Sequence, residues 1–204
     1  MTIGVIDIGG SNLGSVVNIL DHLNIKKKVL TKFDKKNFDT CDKIILPGVG
    51  SFKKAMENLK KNNFINPLNR AYKDKIPVLG ICLGMQLMCR SSVEGGESEG
   101  LNWFDLDVKK FNIKKVGKIP IIGWNSVYQK KNQIFYNIPK NADFYFLHSY
   151  YVPLSEKYTI GKSNVNFKYS SIIKKNNIYG FQFHPEKSQK YGIQIIKNFI
   201  NNSC

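Results

Sequence analysis

Three short apolar runs in the first 90 residues each lead into a glycine-bearing turn and then a segment of helical spacing. Ile3–Ile8 runs into Asp7-Ile-Gly-Gly-Ser-Asn12, after which Leu13, Val16, Val17, Leu20 and Leu23 fall on one helical face. Lys43–Leu46 ends at Pro47-Gly48-Val49-Gly50, and Phe52, Met56 and Leu59 mark the next helix face. Ile76–Ile81 passes into Gly80-Ile81-Cys82-Leu83-Gly84 and a helical pattern through Met85, Leu87 and Met88. Strands that are apolar throughout have both faces covered, so this order predicts a mostly parallel sheet flanked by helices, an α/β fold.

The second half is richer in strand-like and aromatic segments: Leu106–Phe111, Phe144–Leu147, Tyr158–Ile160, Ser171–Lys174 and Tyr179–Phe183. A terminal helix is expected over Tyr191–Ile200, with Ile195, Ile196 and Phe199 on one side. No repeat or low-complexity linker divides the chain, so residues 1–204 read as a single domain with a mixed sheet.

The net charge of +16 raises the question of nucleic acid or an anionic surface. Only two of the 31 basic residues, Arg70 and Arg90, are arginine, the side chain whose planar fork reads bases and clamps phosphates. The lysines are scattered in pairs and triplets such as Lys26-Lys27-Lys28 and Lys174-Lys175, the pattern of a solvated surface. Cys41, Cys82, Cys89 and Cys204 form no CxxC pair and no ligand spacing with His22, His148 or His184, so no metal is expected. The N-terminus lacks the basic and apolar regions of a signal peptide, and the apolar stretch Ile76–Met85 falls short of a membrane span. A cytoplasmic protein with reduced thiols, without nucleic-acid or membrane partners, is expected.

Gly80-Ile-Cys-Leu-Gly84 has the form of a nucleophile elbow with cysteine in place of serine. A sharp strand-to-helix turn strains the nucleophile's backbone, and residues two before and two after must lack side chains for strand and helix to pack. A cysteine at a helix start also sits near the positive end of the helix dipole, which favours thiolate. Cys89, two turns on in the expected helix, reads as core.

A base is available in Phe181-Gln-Phe-His-Pro-Glu186. In an extended segment His184 and Glu186 project to the same side, so the carboxylate can fix the imidazole tautomer and stabilise the imidazolium. His22 reads as an ordinary helix-surface residue. The N–H of Leu83, together with an N–H from the Val49–Gly50 turn, can form an oxyanion hole. These residues alone predict acyl transfer by a Cys82–His184–Glu186 triad and leave the substrate open; hydrolysis of small esters by the same elbow is one alternative.

Gly-Ile-Cys82-Leu-Gly-Met-Gln86, Phe-His184-Pro-Glu186-Lys-Ser188 and Pro47-Gly-Val-Gly-Ser-Phe52 resemble the motifs of class I (triad) glutamine amidotransferases. Asp7-Ile-Gly-Gly-Ser-Asn-Leu13, Gly123-Trp-Asn125 and Leu147-His-Ser-Tyr-Tyr151 resemble, within that class, the glutaminase subunits of imidazole glycerol phosphate synthase. The resemblance runs from residue 3 to residue 199. It implies a flavodoxin-like amidotransferase fold, glutamine as substrate, no cofactor, and Cys82 attack on the side-chain amide to release ammonia and glutamate. It further implies that Gln86 and the Ser149–Tyr150 backbone hold glutamine, and that Val49 and Gly50 form the oxyanion turn. The partner it implies is a (β/α)8-barrel cyclase of histidine biosynthesis, forming a heterodimer that receives the ammonia.

Four positions depart from that pattern: Ile8, Ser11, Gly14 where arginine is common, and Ile121 where histidine is common. None belongs to the triad. Gly14 and Ile121 bear instead on the partner, and Asn12–Asn18 with Lys187–Gly192 look closer to paralogues that supply ammonia for amino or amidino sugars of surface polysaccharides.

Overall fold

The computed structural model describes residues 1–10 and 12–201; the Ser11 departure and Cys204 lie outside the described residues. Among these, strands Thr2–Ile6 (β1), Lys26–Leu30 (β2), Lys43–Gly48 (β3) and Val78–Cys82 (β4) join four later ones in an eight-stranded sheet. Its order is β2, β1, β3, β4, then Ile178–Phe181, Lys168–Lys175, Thr159–Asn164 and Tyr128–Gln129. The first five are parallel and the last three antiparallel. The α/β class and the mixed, mostly parallel sheet are as the sequence predicts.

Strand side chains alternate faces, and the core divides accordingly. Ile6, Ile44, Leu46, Val78 and Ile178 enter one apolar cluster. Ile3, Val5, Ile45, Leu79, Ile81, Tyr179 and Phe181 enter the other. Helix Leu13–His22 buries Val16 and Leu20, and helix Phe52–Lys61 buries Phe52, Ala55 and Leu59. The terminal helix extends over Gln189–Asn201, with Ile195, Ile196 and Phe199 buried as expected.

Two sequence expectations need correction. The helix after the elbow spans only Leu83–Leu87, so Cys89 is not inside it but opens strand Cys89–Ser92. The carbonyls of Leu87, Met88 and Cys89 accept from Leu101, Trp103 and Asn102, which claims the acceptors a longer helix would use. Strand β2, Lys-Lys-Lys-Val-Leu, had read only as a lysine run; it is an edge strand, where lysine discourages pairing with another chain.

The two arginines are engaged with carboxylates, Arg70 with Asp39 and Arg90 with Asp105 and Asp107. No helix among the described residues is long and apolar enough to cross a membrane.

Candidate active site

Cys82 closes β4 with φ +54° and ψ −107°, a left-handed backbone that a side chain rarely adopts. The flanking glycines permit this turn. A Cβ on Gly80 would lie 2.7 Å from the Gly84 backbone, and one on Gly84 only 1.7 Å from the Leu46 carbonyl oxygen of β3. The elbow therefore forms as its sequence predicts, but with a five-residue helix behind it, so the dipole contribution is smaller than a longer helix would give.

His184 lies just past strand Ile178–Phe181 and is fully buried. Its Nδ1 is 2.7 Å from Glu186 Oε1. The contact arises because Pro185–Lys187 forms a 3-10 turn after an extended His184, not along a continuous extended segment as the spacing suggests. Asn12 Nδ2 donates to the same carboxylate oxygen at 3.1 Å, tying the start of helix Leu13–His22 to the pair. Burial works against a charged imidazole here, but the Cys82 sulfur and the Glu186 carboxylate outweigh it and push the His184 pKa up. His184 Nε2 has no hydrogen-bond partner among the described residues, leaving it open to exchange a proton with a neighbouring group.

A pocket of about 150 Å³ opens beside the sulfur, lined by Cys82, Leu83, Gln86, Val49, Gly50, Ser149 and Tyr150 among others. It thus gathers every residue that the sequence assigned to the oxyanion hole and to glutamine. Gly50 takes φ +109° with no atom within 4 Å of a Cβ, so the turn is open on that side. A wider groove of about 1550 Å³ lies at the opposite strand ends, where Lys43, Lys75, Lys131, Lys174 and Lys197 line it; it contains no cysteine or histidine.

Three residues in or near the pocket were given no role by the sequence. Glu94, half-buried in the lining, accepts from the Phe52 N–H at 3.1 Å, and burial raises its pKa against the lowering effects of that bond and of Lys110. His148 is buried with Nδ1 2.7 Å from the Tyr150 carbonyl. Burial lowers its pKa to about 4, further than the Tyr150 bond raises it, so a neutral ring donating from Nδ1 is favoured. Gln182, fully buried, reaches Cys82 Sγ at 3.8 Å. Only a motif resemblance flagged His148; nothing in the spacing pointed to Glu94, whose loop the fold brings 42 residues back to Phe52.

Ser188 is buried and bonds the His184 carbonyl and the Tyr145 N–H, a structural clamp, whereas Lys187 is exposed over the Tyr145 ring. At the departure Gly14, exposed in the first turn of its helix, an added Cβ meets nothing within 4 Å. Gly14→Ala is therefore expected to stabilise the fold by about 0.5 kcal/mol, seen as a higher urea midpoint with unchanged slope; a lower midpoint would contradict this.

Comparison with known proteins agrees with this geometry. A chain of Methanococcus maripaludis named imidazole glycerol phosphate synthase subunit HisH 2 is 41% identical over 204 residues, 98% of this chain and 100% of that one. One of Leptospira borgpetersenii, named imidazole glycerol phosphate synthase subunit HisH, is 41% identical over 205 residues, 98% of this chain and 99% of that one. The solved structure of PurLQS from Thermotoga maritima shares the fold, with a TM-score of 0.75 at 15% identity, covering 98% of this chain and 97% of that one. The family model described as glutamine amidotransferase class-I matches residues 4–202, so nearly the whole length that builds the elbow, the His–Glu pair and the pocket belongs to a class I glutamine amidotransferase.

Proposed function

We propose that this chain is the glutaminase subunit of imidazole glycerol phosphate synthase, acting through Cys82, His184 and Glu186 as one folded unit over residues 1–204. The observation that carries the chemistry is the strained Cys82, which lines a pocket on one side and interacts electrostatically with the buried His184–Glu186 pair.

His184 takes the thiol proton, and the Cys82 sulfur attacks the side-chain amide carbon of glutamine. The developing oxyanion is held by the N–H of Leu83 and by the Val49–Gly50 turn. His184 then returns the proton to the departing nitrogen; ammonia leaves and a glutamyl thioester remains. Water activated by His184 adds to the thioester carbon, and collapse releases glutamate with the thiol restored. Gln86 and the Ser149–Tyr150 backbone shape the glutamine pocket. The Glu94 carboxylate, costly to bury alone, suits the α-ammonium of the same substrate.

The ammonia goes to a (β/α)8-barrel cyclase subunit in the cytoplasm, where it serves histidine biosynthesis. Support comes from the relatives named as subunits of that synthase and from an apolar surface near the site. On strand Ile121–Ser126, Ile122 and Trp124 are 57% and 49% exposed, and this strand pairs with Asp143–His148, whose end lines the pocket. The alternative acceptor, an amino or amidino sugar, is favoured by the segments Asn12–Asn18 and Lys187–Gly192.

Two measurements test the proposal together. Mass spectrometry after treatment with an electrophilic glutamine analogue is expected to find one adduct, on Cys82; an ester-hydrolase site would spare it. Mixing the chain with a barrel cyclase and its nucleotide substrate is expected to give glutamine-dependent cyclisation. Glutamate release with no cyclisation would reject the histidine-pathway acceptor while retaining the glutaminase.

A further inference from the structure

Gln182 is a primary amide with no exposed surface, flanked in sequence by the buried Phe181 and Phe183. An apolar side chain would fill such a site at lower cost, because a buried amide must be fully hydrogen-bonded to be tolerated. Its partners are all present, and they form a chain whose direction is fixed. The Tyr150 backbone carbonyl can only accept, and it receives Gln86 Nε2 at 3.0 Å and lies 2.7 Å from His148 Nδ1. Gln86 therefore turns its NH2 group this way, and the same nitrogen donates to Gln182 Oε1 at 3.0 Å. With its oxygen so occupied, Gln182 presents its own NH2 to Cys82 Sγ at 3.8 Å. Flipping either amide would set two acceptors or two donors against each other.

We infer that Gln182 is a further catalytic residue: its amide N–H holds the Cys82 thiolate, in an orientation dictated by the relay from the Tyr150 carbonyl through Gln86. The inference rests on Cys82 being the nucleophile. His184 meets the sulfur with its charge, and the Gln182 amide adds a neutral donor beside it, which counts because the helix behind the sulfur has only five residues and the Leu147 carbonyl, 3.8 Å from Sγ, cannot donate to a thiolate. The relay also joins substrate pocket to nucleophile: Gln86 and Tyr150 line the pocket, so movement of either as the pocket fills is transmitted to the sulfur, through two hydrogen bonds from Gln86 and three from Tyr150. Gln86 accordingly has its donors committed within the protein, and its part in the pocket is to position rather than to bond glutamine through its NH2.

The test is the pH profile of Cys82 alkylation by iodoacetamide, a probe too small to need the glutamine pocket, in the full chain. Gln182→Met keeps the length and removes the donor. Its profile is expected to move to higher pH by about one unit, with an alkylation rate at neutral pH about ten-fold lower. A superimposable profile in a folded Gln182→Met protein overturns the inference. Should that variant not fold, Gln182→Glu keeps the oxygen that accepts from Gln86 and sets a carboxylate against the sulfur, and a shift in the same direction is expected; no shift again overturns it. Failure of the nucleophile assignment itself would look different, as a wild-type chain whose Cys82 is left unmodified by the glutamine analogue.

Discussion

Cys82→Ala is expected to lower glutamate release by a factor of about 10⁴ or more, the scale on which removal of a catalytic nucleophile acts. The loss is in chemistry, since the pocket is shaped mostly by other residues and glutamine binding is expected to remain measurable by calorimetry. Cys89→Ala is the control within the same segment. Cys89 is fully buried, its thiol points its weak donor at the Met85 carbonyl, and burial raises its pKa far beyond the range in which a thiolate forms. Truncating it removes one sulfur from the core, so activity per folded molecule is expected to stay within a few-fold while the unfolding free energy falls by about 1–2 kcal/mol. Equal losses of activity in both variants would remove Cys82 from its role. Ammonia release measured alongside glutamate closes the balance, one of each per turnover.

The parallel half of the sheet was legible because β1, β3 and β4 are buried on both faces, and continuous burial leaves a continuous apolar run. β2 was not, because an edge strand answers to different constraints and its three lysines mask its register with β1. The elbow could be read from local sequence since its requirements are local: two glycines at fixed spacing and a strand before them. The His184–Glu186 contact was also found, though by a 3-10 turn that a two-residue spacing does not distinguish from an extended segment. Gln182 and Glu94 stayed hidden for one common reason. Their meaning depends on partners about 100 and about 40 residues away, Cys82 and Phe52, and no periodicity encodes which loop closes on which. Charge misled least where it was examined by type, for both arginines are spent on aspartates.

Gly84→Ala is expected to be the most destructive single methyl group in the chain, costing about 3 kcal/mol or more of stability. A Cβ there falls 1.7 Å from the Leu46 carbonyl oxygen, against the 3 Å or so that such contacts require, and the obstacle is backbone rather than a side chain that can rotate away. Relief demands that the helix Leu83–Leu87 and β3 separate. That movement cannot be confined to one element. Leu83 follows Cys82 directly, and Leu46 precedes the Pro47–Gly50 turn, so the sulfur and the turn proposed to hold the oxyanion are displaced relative to each other by the same strain. Gly84→Ala protein that remains folded is therefore expected to lose Cys82 alkylation and glutaminase rate together, whereas Gly14→Ala, an identical chemical change where nothing lies within 4 Å, loses neither. Chemical unfolding monitored by tryptophan fluorescence gives the stability, and a midpoint unchanged from wild type would mean that the helix does not press on β3. The same steric fact explains why the elbow and the fold cannot be varied separately at this point: the contact that lets Cys82 turn out of the sheet is also the contact that seals helix to strand.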